Sequence, residues 1–408
     1  MNNLLVAQSG GPTSAINATL AGILDRAMNE GSIDTVYGAR YGIQGVLRES
    51  FVNLSARAGL LEELPELATT PAAALGSCRY KLQDPAKDES EYEKLVDIFH
   101  RHEICYFIYI GGNDSMDTVW RLSQYVREKG ITDITVVGAP KTIDNDLFGI
   151  DHCPGFGSAA KYIATTMAEL ERELVVYDTP YVIITEMMGR NAGWLTAAAA
   201  LSQGVNSQVP YLIYLEEHPF DLSDFLSDIR GELSAGINVM VAISEGIRDR
   251  SGRMICDYGD RDKAKDAFGH TIATGAGHVL ENAVRQNLGC KVRSIELNLL
   301  QRCAGHILSK TDIDESMELG RNAVKLCLEG QNGMMSSLRR LPLDEYRVVY
   351  EAQDIAGIAD REKKVPTQWI TSEGNNVTPE MLNYLRPLVQ GEVHSRFERG
   401  VPKYVVLI

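Results

Sequence analysis

The sequence predicts an α/β protein made of two doubly wound, Rossmann-like domains with mainly parallel sheets and a cleft between them. Three observations carry that expectation. Short apolar runs alternate with stretches of helical periodicity along the chain, as in units of strand and crossover helix. Several runs are apolar without interruption, the pattern of strands covered on both faces. Most stop at a glycine or polar turn that opens a helix. Both halves of the 408 residues show this, and that length suits two domains. The expected boundaries are residues 1–155 with part of about 303–370 for the first domain, and 156–302 with the tail 371–408 for the second.

The first apolar run, residues 4–7, stops at Ser9-Gly10-Gly11-Pro12, and Ile16, Leu20, Ile23 and Leu24 then fall at helical spacing. Such a turn lets a ligand approach the backbone and aims free N–H groups at an anion, although many similar turns hold nothing. Residues 36–38 continue the alternation. The turn at 75–81 carries Arg79 and Lys81, which suits a phosphate or a solvated loop equally. Residues 91–102 read as an amphipathic helix, and 105–110 as a buried strand ending at Gly111-Gly112-Asn113-Asp114-Ser115. A helix starts there, and Asp114 either caps it or faces a ligand.

Further on, residues 155–158 open a helix that runs to 174, and the strand 181–185 leads to Met188-Gly189-Arg190. An arginine beside a glycine at a strand end can anchor a phosphorylated substrate. An alanine-rich helix is expected over 195–201. Residues 211–215 and 239–243 are strands, the second ending at Ser244-Glu245-Gly246. The charged, glycine-punctuated stretch 246–268 reads as a flexible insertion. Arg293 and Arg302 follow, then an amphipathic helix over 314–328 and a tail whose end, 404–408, is expected to return to the sheet.

Forty basic residues against 55 acidic ones give a net charge of −15, which argues against nucleic acid and anionic membranes as partners. No run approaches a membrane span and the start lacks a signal-peptide pattern, so a cytoplasmic protein is expected. Seven scattered cysteines without Cys-x-x-Cys spacing read as reduced, mostly buried thiols. The eight histidines, His270 and His278 among them, form no metal pattern.

Chemistry is densest at residues 139–146, Ala-Pro-Lys-Thr-Ile-Asp-Asn-Asp. Lys141, Thr142, Asp144 and Asp146 leave a buried strand at its carboxyl end, where open α/β sheets bind ligands. Asp144 and Asp146, two positions apart, can face one crevice, one accepting a proton and the other holding a cation. A capping or Asx turn would account for one carboxylate, but poorly for two and a lysine.

In order along the chain, Gly10-Gly11, the Gly-Gly-Asn-Asp-Ser at 111–115, the Pro-Lys-Thr-Ile-Asp-Asn-Asp at 140–146, Met-Gly-Arg at 188–190, Glu245 and Gln301-Arg302 resemble the phosphofructokinase family over about residues 4–305. The resemblance implies Mg2+-dependent phosphoryl transfer to the C1 hydroxyl of fructose 6-phosphate, a reversible step of glycolysis and gluconeogenesis. By that resemblance Asp144 is the base, and Thr142, Ile143, Met188, Gly189, Arg190, Glu245 and Arg302 hold the sugar phosphate. Gly11, Arg79, Gly112, Asp114, Ser115 and Lys141 hold the donor, and Asn113 and Asp146 the metal. Arg293 corresponds to an arginine that reaches a neighbouring subunit's sugar phosphate, and Tyr181 stands where a second such arginine is found, so a homodimer or homotetramer with shared active sites is implied. The first domain is then the donor domain and the second the sugar-phosphate domain.

Family members that use ATP have glycine where Asp114 and Lys141 stand. Both positions are charged here, as in the pyrophosphate-dependent branch, so pyrophosphate is the expected donor; an ATP-dependent enzyme and a non-catalytic sugar-phosphate-binding subunit are the alternatives. A carboxylate beside an ATP α-phosphate costs about 4 kcal/mol at roughly 4 Å and an effective dielectric near 20. That is nearly three decades of affinity. Lys141 supplies a cation for charge that builds during transfer. Three departures stand out. Asn113 replaces an aspartate, leaving more of the metal to Asp146. Tyr181 and Leu299 replace an arginine and a histidine that contact the substrate phosphate, with Tyr384 or Arg386 as candidate substitutes. Ala21 and Asp25 stand where allosteric members carry effector-binding arginines, implying a non-allosteric enzyme. A dinucleotide-dependent dehydrogenase fails for want of a Gly-x-Gly-x-x-Gly turn with an acidic ribose contact.

Overall fold

Asn3–Gln8 (β1) is buried at all six residues, as a strand covered on both faces must be. Its side chains alternate between two cores, with Leu4 and Val6 in one and Leu5 and Ala7 in the other. Around it gather Val36–Ala39 (β2), Phe51–Asn53 (β3), Ile104–Gly111 (β4) and Thr135–Pro140 (β5). A second group comprises Tyr181–Met187 (β6), Tyr211–Tyr214 (β7), Val239–Ser244 (β8) and Lys291–Glu296 (β9). Leu308–Ser309 (β10) pairs with a short C-terminal strand, and Met334–Arg340 (β11) and Val348–Asp354 (β12) rejoin the first group. The structure, a computed structural model, describes residues 2–204, 207–259, 275–358 and 361–408.

The result is a seven-stranded sheet ordered β12-β11-β5-β4-β1-β2-β3 and a four-stranded sheet ordered β7-β8-β6-β9. All pairs are parallel except the two edge pairs of the larger sheet, β2 with β3 and β11 with β12. Register then decides what meets. Gln8 is level with Ile110, and Gly111 with Pro140, so the turns after β1, β4 and β5 emerge together. In the smaller sheet Met187 is level with Ser244, and Glu186 with Glu296, so the turns after β6, β8 and β9 do the same.

Helices fix the two sheets. The helix Ile16–Met28 crosses Lys310–Leu328 so closely that a Cβ on Gly22 would fall 1.9 Å from the Met317 carbonyl oxygen, and one on Gly320 2.2 Å from that of Thr19. Asp312, 3% exposed, accepts from the backbone N–H of Gly155 (2.9 Å) and of Ser158 (2.9 Å), tying down the start of the long helix Phe156–Leu174. Among the described residues no helix is long and apolar enough to cross a membrane.

Four expectations are corrected. The alanine-rich segment is not one α-helix: Trp194–Ala197 is α-helical and Ala198–Ser202 is a tighter 3-10 turn, because the segment is short and the Ser202 hydroxyl is drawn to the Ala164 carbonyl at 2.6 Å. The end of the tail, 404–408, does not rejoin the sheet. Val405 and Leu407 point into the core beside β1 and alternate with exposed neighbours, yet their backbone bonds go to loop side chains, Val405 N–H to Thr70 Oγ1 at 3.1 Å and Arg57 to the Val406 carbonyl at 2.6 Å. Residues 246–259 are a packed arm and not a loose insertion, with Ile247 and Ile255 at 0% and 2% exposure; residues 260–268 and His270 lie outside the described residues. The cysteines are free thiols, but only Cys78, Cys153 and Cys327 are buried.

Candidate active site

Turns from both sheets meet around a cleft of about 760 Å³. On one wall Lys141 leaves β5 with its N–H bonded to the Gly111 carbonyl at 3.0 Å, and its side chain, 3% exposed, lies against the first glycine turn. A Cβ on Gly10, whose φ is +77°, would come 2.8 Å from Lys141 Nζ; a Cβ on Gly11 would come 3.0 Å from an Arg302 guanidinium nitrogen. The glycine pair is therefore where backbone and cations converge. Gly111 is packed against the Ser9 and Ser115 hydroxyls, and Gly112 opens the helix Asn113–Glu128, whose first three residues line the cleft together with Arg79. Burial pushes the Lys141 ammonium down to about 8, with Arg190 and Arg302 adding to the fall and Asp144 and Asp146 opposing it.

The opposite wall is built by the second sheet. Arg190 follows β6 with φ of 54°, and its N–H donates to Glu245 Oε1 at 2.9 Å, with Gly189 N–H at 3.3 Å to the same oxygen. Glu245 follows β8 and is pushed up to about 8, chiefly by burial. Gln301, 1% exposed, accepts from Met188 N–H at 3.3 Å and so ties the β6 turn to the segment that carries Arg302. Between the walls lies the turn after β5. The Asp144 N–H donates to Thr142 Oγ1 at 3.1 Å, and an Asp144 carboxylate oxygen stands 3.9 Å from Arg190 Nε. Burial raises Asp144 against the pull of Arg190, Lys141 and Arg302, and it pushes Asp146 up to about 7, the Asp144 charge adding to the rise.

A phosphofructokinase family model matches residues 3–327. The chain belongs to the phosphofructokinase family. The pyrophosphate–fructose 6-phosphate 1-phosphotransferase of Halomonas elongata is 37% identical over 100% of this chain and 96% of its own, and the enzyme of the same name from Xanthomonas campestris pv. campestris is 39% identical over 99% and 96%. The crystal structure of a pyrophosphate-dependent phosphofructokinase from Nitrosospira multiformis superposes with a TM-score of 0.88 at 34% identity, covering 99% of this chain and 96% of that one.

Within this phosphofructokinase, most residues singled out by sequence line the cleft together: Gly11, Arg79, Gly112, Asn113, Asp114, Ser115, Lys141, Thr142, Ile143, Asp144, Asp146, Met188, Arg190, Glu245 and Arg302. Gly189 stands just behind them. Two do not reach the cleft of their own chain. Tyr181 begins β6 and the cleft is at that strand's other end; it is buried under Lys291, whose ammonium is 3.9 Å from its ring centre. Arg293 is exposed on β9, level with Ile183 and also away from the cleft. Nor do the suggested substitutes enter: Tyr384 is 9% exposed and engaged behind the Asp144 turn, and Arg386 faces solvent. Leu299 does line the cleft, 54% exposed.

Sequence reasoning missed Arg248, Arg253 and Glu362, which also line it. They sit in charged stretches with no local motif, so only the tertiary fold reveals them. For a metal, the residues present fit. The Asn113 side-chain oxygen is buried with no hydrogen-bond partner, while its amide nitrogen donates to Asp146 Oδ2 at 3.1 Å. No cluster of three or more His, Cys, Asp or Glu suited to a metal occurs among the described residues, so the pair offers a sparse oxygen site, of the kind that hard cations complete with substrate phosphates.

Proposed function

We infer that the protein is a pyrophosphate-dependent 6-phosphofructokinase, transferring a phosphoryl group from pyrophosphate to the C1 hydroxyl of fructose 6-phosphate and giving fructose 1,6-bisphosphate and phosphate. Similarity along the whole chain to enzymes of that name carries the reading. The presence of both Asp114 and Lys141 in the cleft supports pyrophosphate over ATP. In our assignment Asp144 takes the hydroxyl proton, burial having made it a stronger base. The C1 oxygen bonds to the near phosphorus, the bridging P–O bond breaks, and phosphate leaves with the electron pair. Lys141 and the N–H groups opening the helix Asn113–Glu128 face the charge that builds on the donor. Arg190 and Arg302 hold the sugar phosphate, and Glu245, with Oε1 taken by two N–H groups, has its second oxygen left for a sugar hydroxyl. Mg2+ held by Asp146 and the Asn113 amide oxygen would neutralise pyrophosphate oxygens.

We further assign the donor to the domain of residues 1–155 and the sugar to that of 156–302, each with its C-terminal additions. A cytoplasmic homodimer or homotetramer is the proposed form, and the exposure of Arg293 is consistent with a role toward a neighbouring subunit. Ala21 is fully buried and Asp25 is paired with Arg321 at 2.6 Å, which supports a non-allosteric enzyme. The test is formation of fructose 1,6-bisphosphate by purified protein with Mg2+, fructose 6-phosphate and pyrophosphate, and the reverse reaction with phosphate. Turnover in both directions is expected; a protein that binds the sugar phosphate without converting it would overturn the reading.

A further inference from the structure

Asn145 stands between the two carboxylates of the catalytic turn, fully buried and with φ of 55°. A non-glycine residue keeps a left-handed backbone only where its surroundings hold it. Three bonds do so here. Its amide nitrogen donates to the Tyr384 hydroxyl at 2.8 Å, and its side-chain oxygen accepts from Cys153 N–H at 2.9 Å and from the Lys363 ammonium at 3.1 Å. The Tyr384 hydroxyl in turn donates to the Asp151 carbonyl at 2.8 Å. Lys363 also donates to the carbonyls of Ile150 (3.2 Å) and Asp151 (2.7 Å), and its backbone N–H donates to the Asp146 carbonyl at 2.7 Å. The middle and the far end of the turn are thus gripped from behind by two residues that do not line the cleft. Both lie beyond residue 327, where the family match ends.

We propose that Tyr384 and Lys363 are positioning residues: by locking Asn145 in the left-handed conformation they set the directions of Asp144 and Asp146. The proposal rests on reading Asp144 as the base. Removing the Tyr384 hydroxyl leaves a buried amide with no acceptor, and the amide recovers one only by turning the backbone that carries both carboxylates. A base displaced by about 1 Å costs on the order of a hundredfold in rate. The arginines that hold the sugar phosphate stand on other elements and keep their places, so the loss falls on kcat and not on KM for the sugar.

The experiment is steady-state kinetics of Tyr384→Phe and Lys363→Met with pyrophosphate and fructose 6-phosphate, at a temperature where circular dichroism shows the wild-type fold. Each variant is expected to lower kcat by about tenfold to a hundredfold, with KM for the sugar within about twofold of wild type. Adding Asn145→Gly to Tyr384→Phe should restore part of the lost kcat, because glycine adopts the left-handed backbone without a partner. Folded variants with wild-type kcat, or a loss confined to thermal stability, would overturn the lock. Should Tyr384→Phe not fold, Lys363→Met decides. Wild-type turnover with pyrophosphate tests the reaction, and the ratio of variant to wild type tests the lock.

Discussion

Asp144 and Asp146 are the same residue type two positions apart, and in the proposed assignment their surroundings divide the work between them. Asp144 faces Arg190 at 3.9 Å, which keeps an ionised form available to a base, while Asp146 takes a bond from Asn113, the residue with an unpartnered oxygen. Asp144→Asn should therefore lower kcat by about two to four decades while fructose 6-phosphate still binds, checked by coupled assay and by calorimetry. Lys141 adds a pH signature. Its pKa is lowered to about 8, so its charge is present below that value and lost above it. The kcat/KM for pyrophosphate, a property of the free enzyme, should fall as pH rises through about 8. Lys141→Met should remove that limb and cost about two to three decades. At this scale the sequence was informative, because the site residues are hydrophilic groups interrupting apolar runs. Glu362 and Arg253 offered no such contrast, lying among other charges.

Elements bring these residues together through register. Parallel strands whose ends are level place their turns side by side, which is why Gly10, Gly112 and Lys141 meet although about a hundred residues separate the first two. The alternation of apolar runs and glycine turns made the strands readable. Strand order was not, since nothing local distinguishes β9 from β7 as the neighbour of β6. That is also why Tyr181 and Arg293 could not be placed by sequence at the far end of the smaller sheet. The 3-10 turn after Ala197 was equally hidden, because it depends on a bond from Ser202 to a distant helix. Asp312 gives the element scale its test. Asp312→Ala would leave two buried N–H groups at the start of Phe156–Leu174 without an acceptor, a loss of about 1–3 kcal/mol in urea unfolding. Gly320→Ala, forced against the Thr19 carbonyl, should be destabilising by a similar amount.

Across the whole molecule, buried ionisable groups couple the site to stability. Burial raises Glu216 to about 7 and Glu245 to about 8. His152 is also raised, its contacts with Glu315 and Asp151 outweighing the burial that would lower it. For each group the folded state binds protons that the unfolded state has released, so stability is greatest below the unfolded pKa and declines as pH rises through the folded one. The ligand-free thermal midpoint should fall between about pH 5 and pH 8; a midpoint that rises over that range would contradict these assignments. The C-terminal segment was the least legible part, because it contributes scattered side chains to separate places, Tyr384 behind the turn that carries Asp144 and Leu407 in the core beside β1. The central claim remains the choice of donor by one acid and one base. It is tested most directly by turnover with Mg-pyrophosphate and with Mg-ATP for the wild type and for Asp114→Gly. The account predicts that wild-type activity with ATP lies about three decades below that with pyrophosphate and rises in the variant. Equal activity with both donors in the wild type, or no gain with ATP in Asp114→Gly, would contradict it.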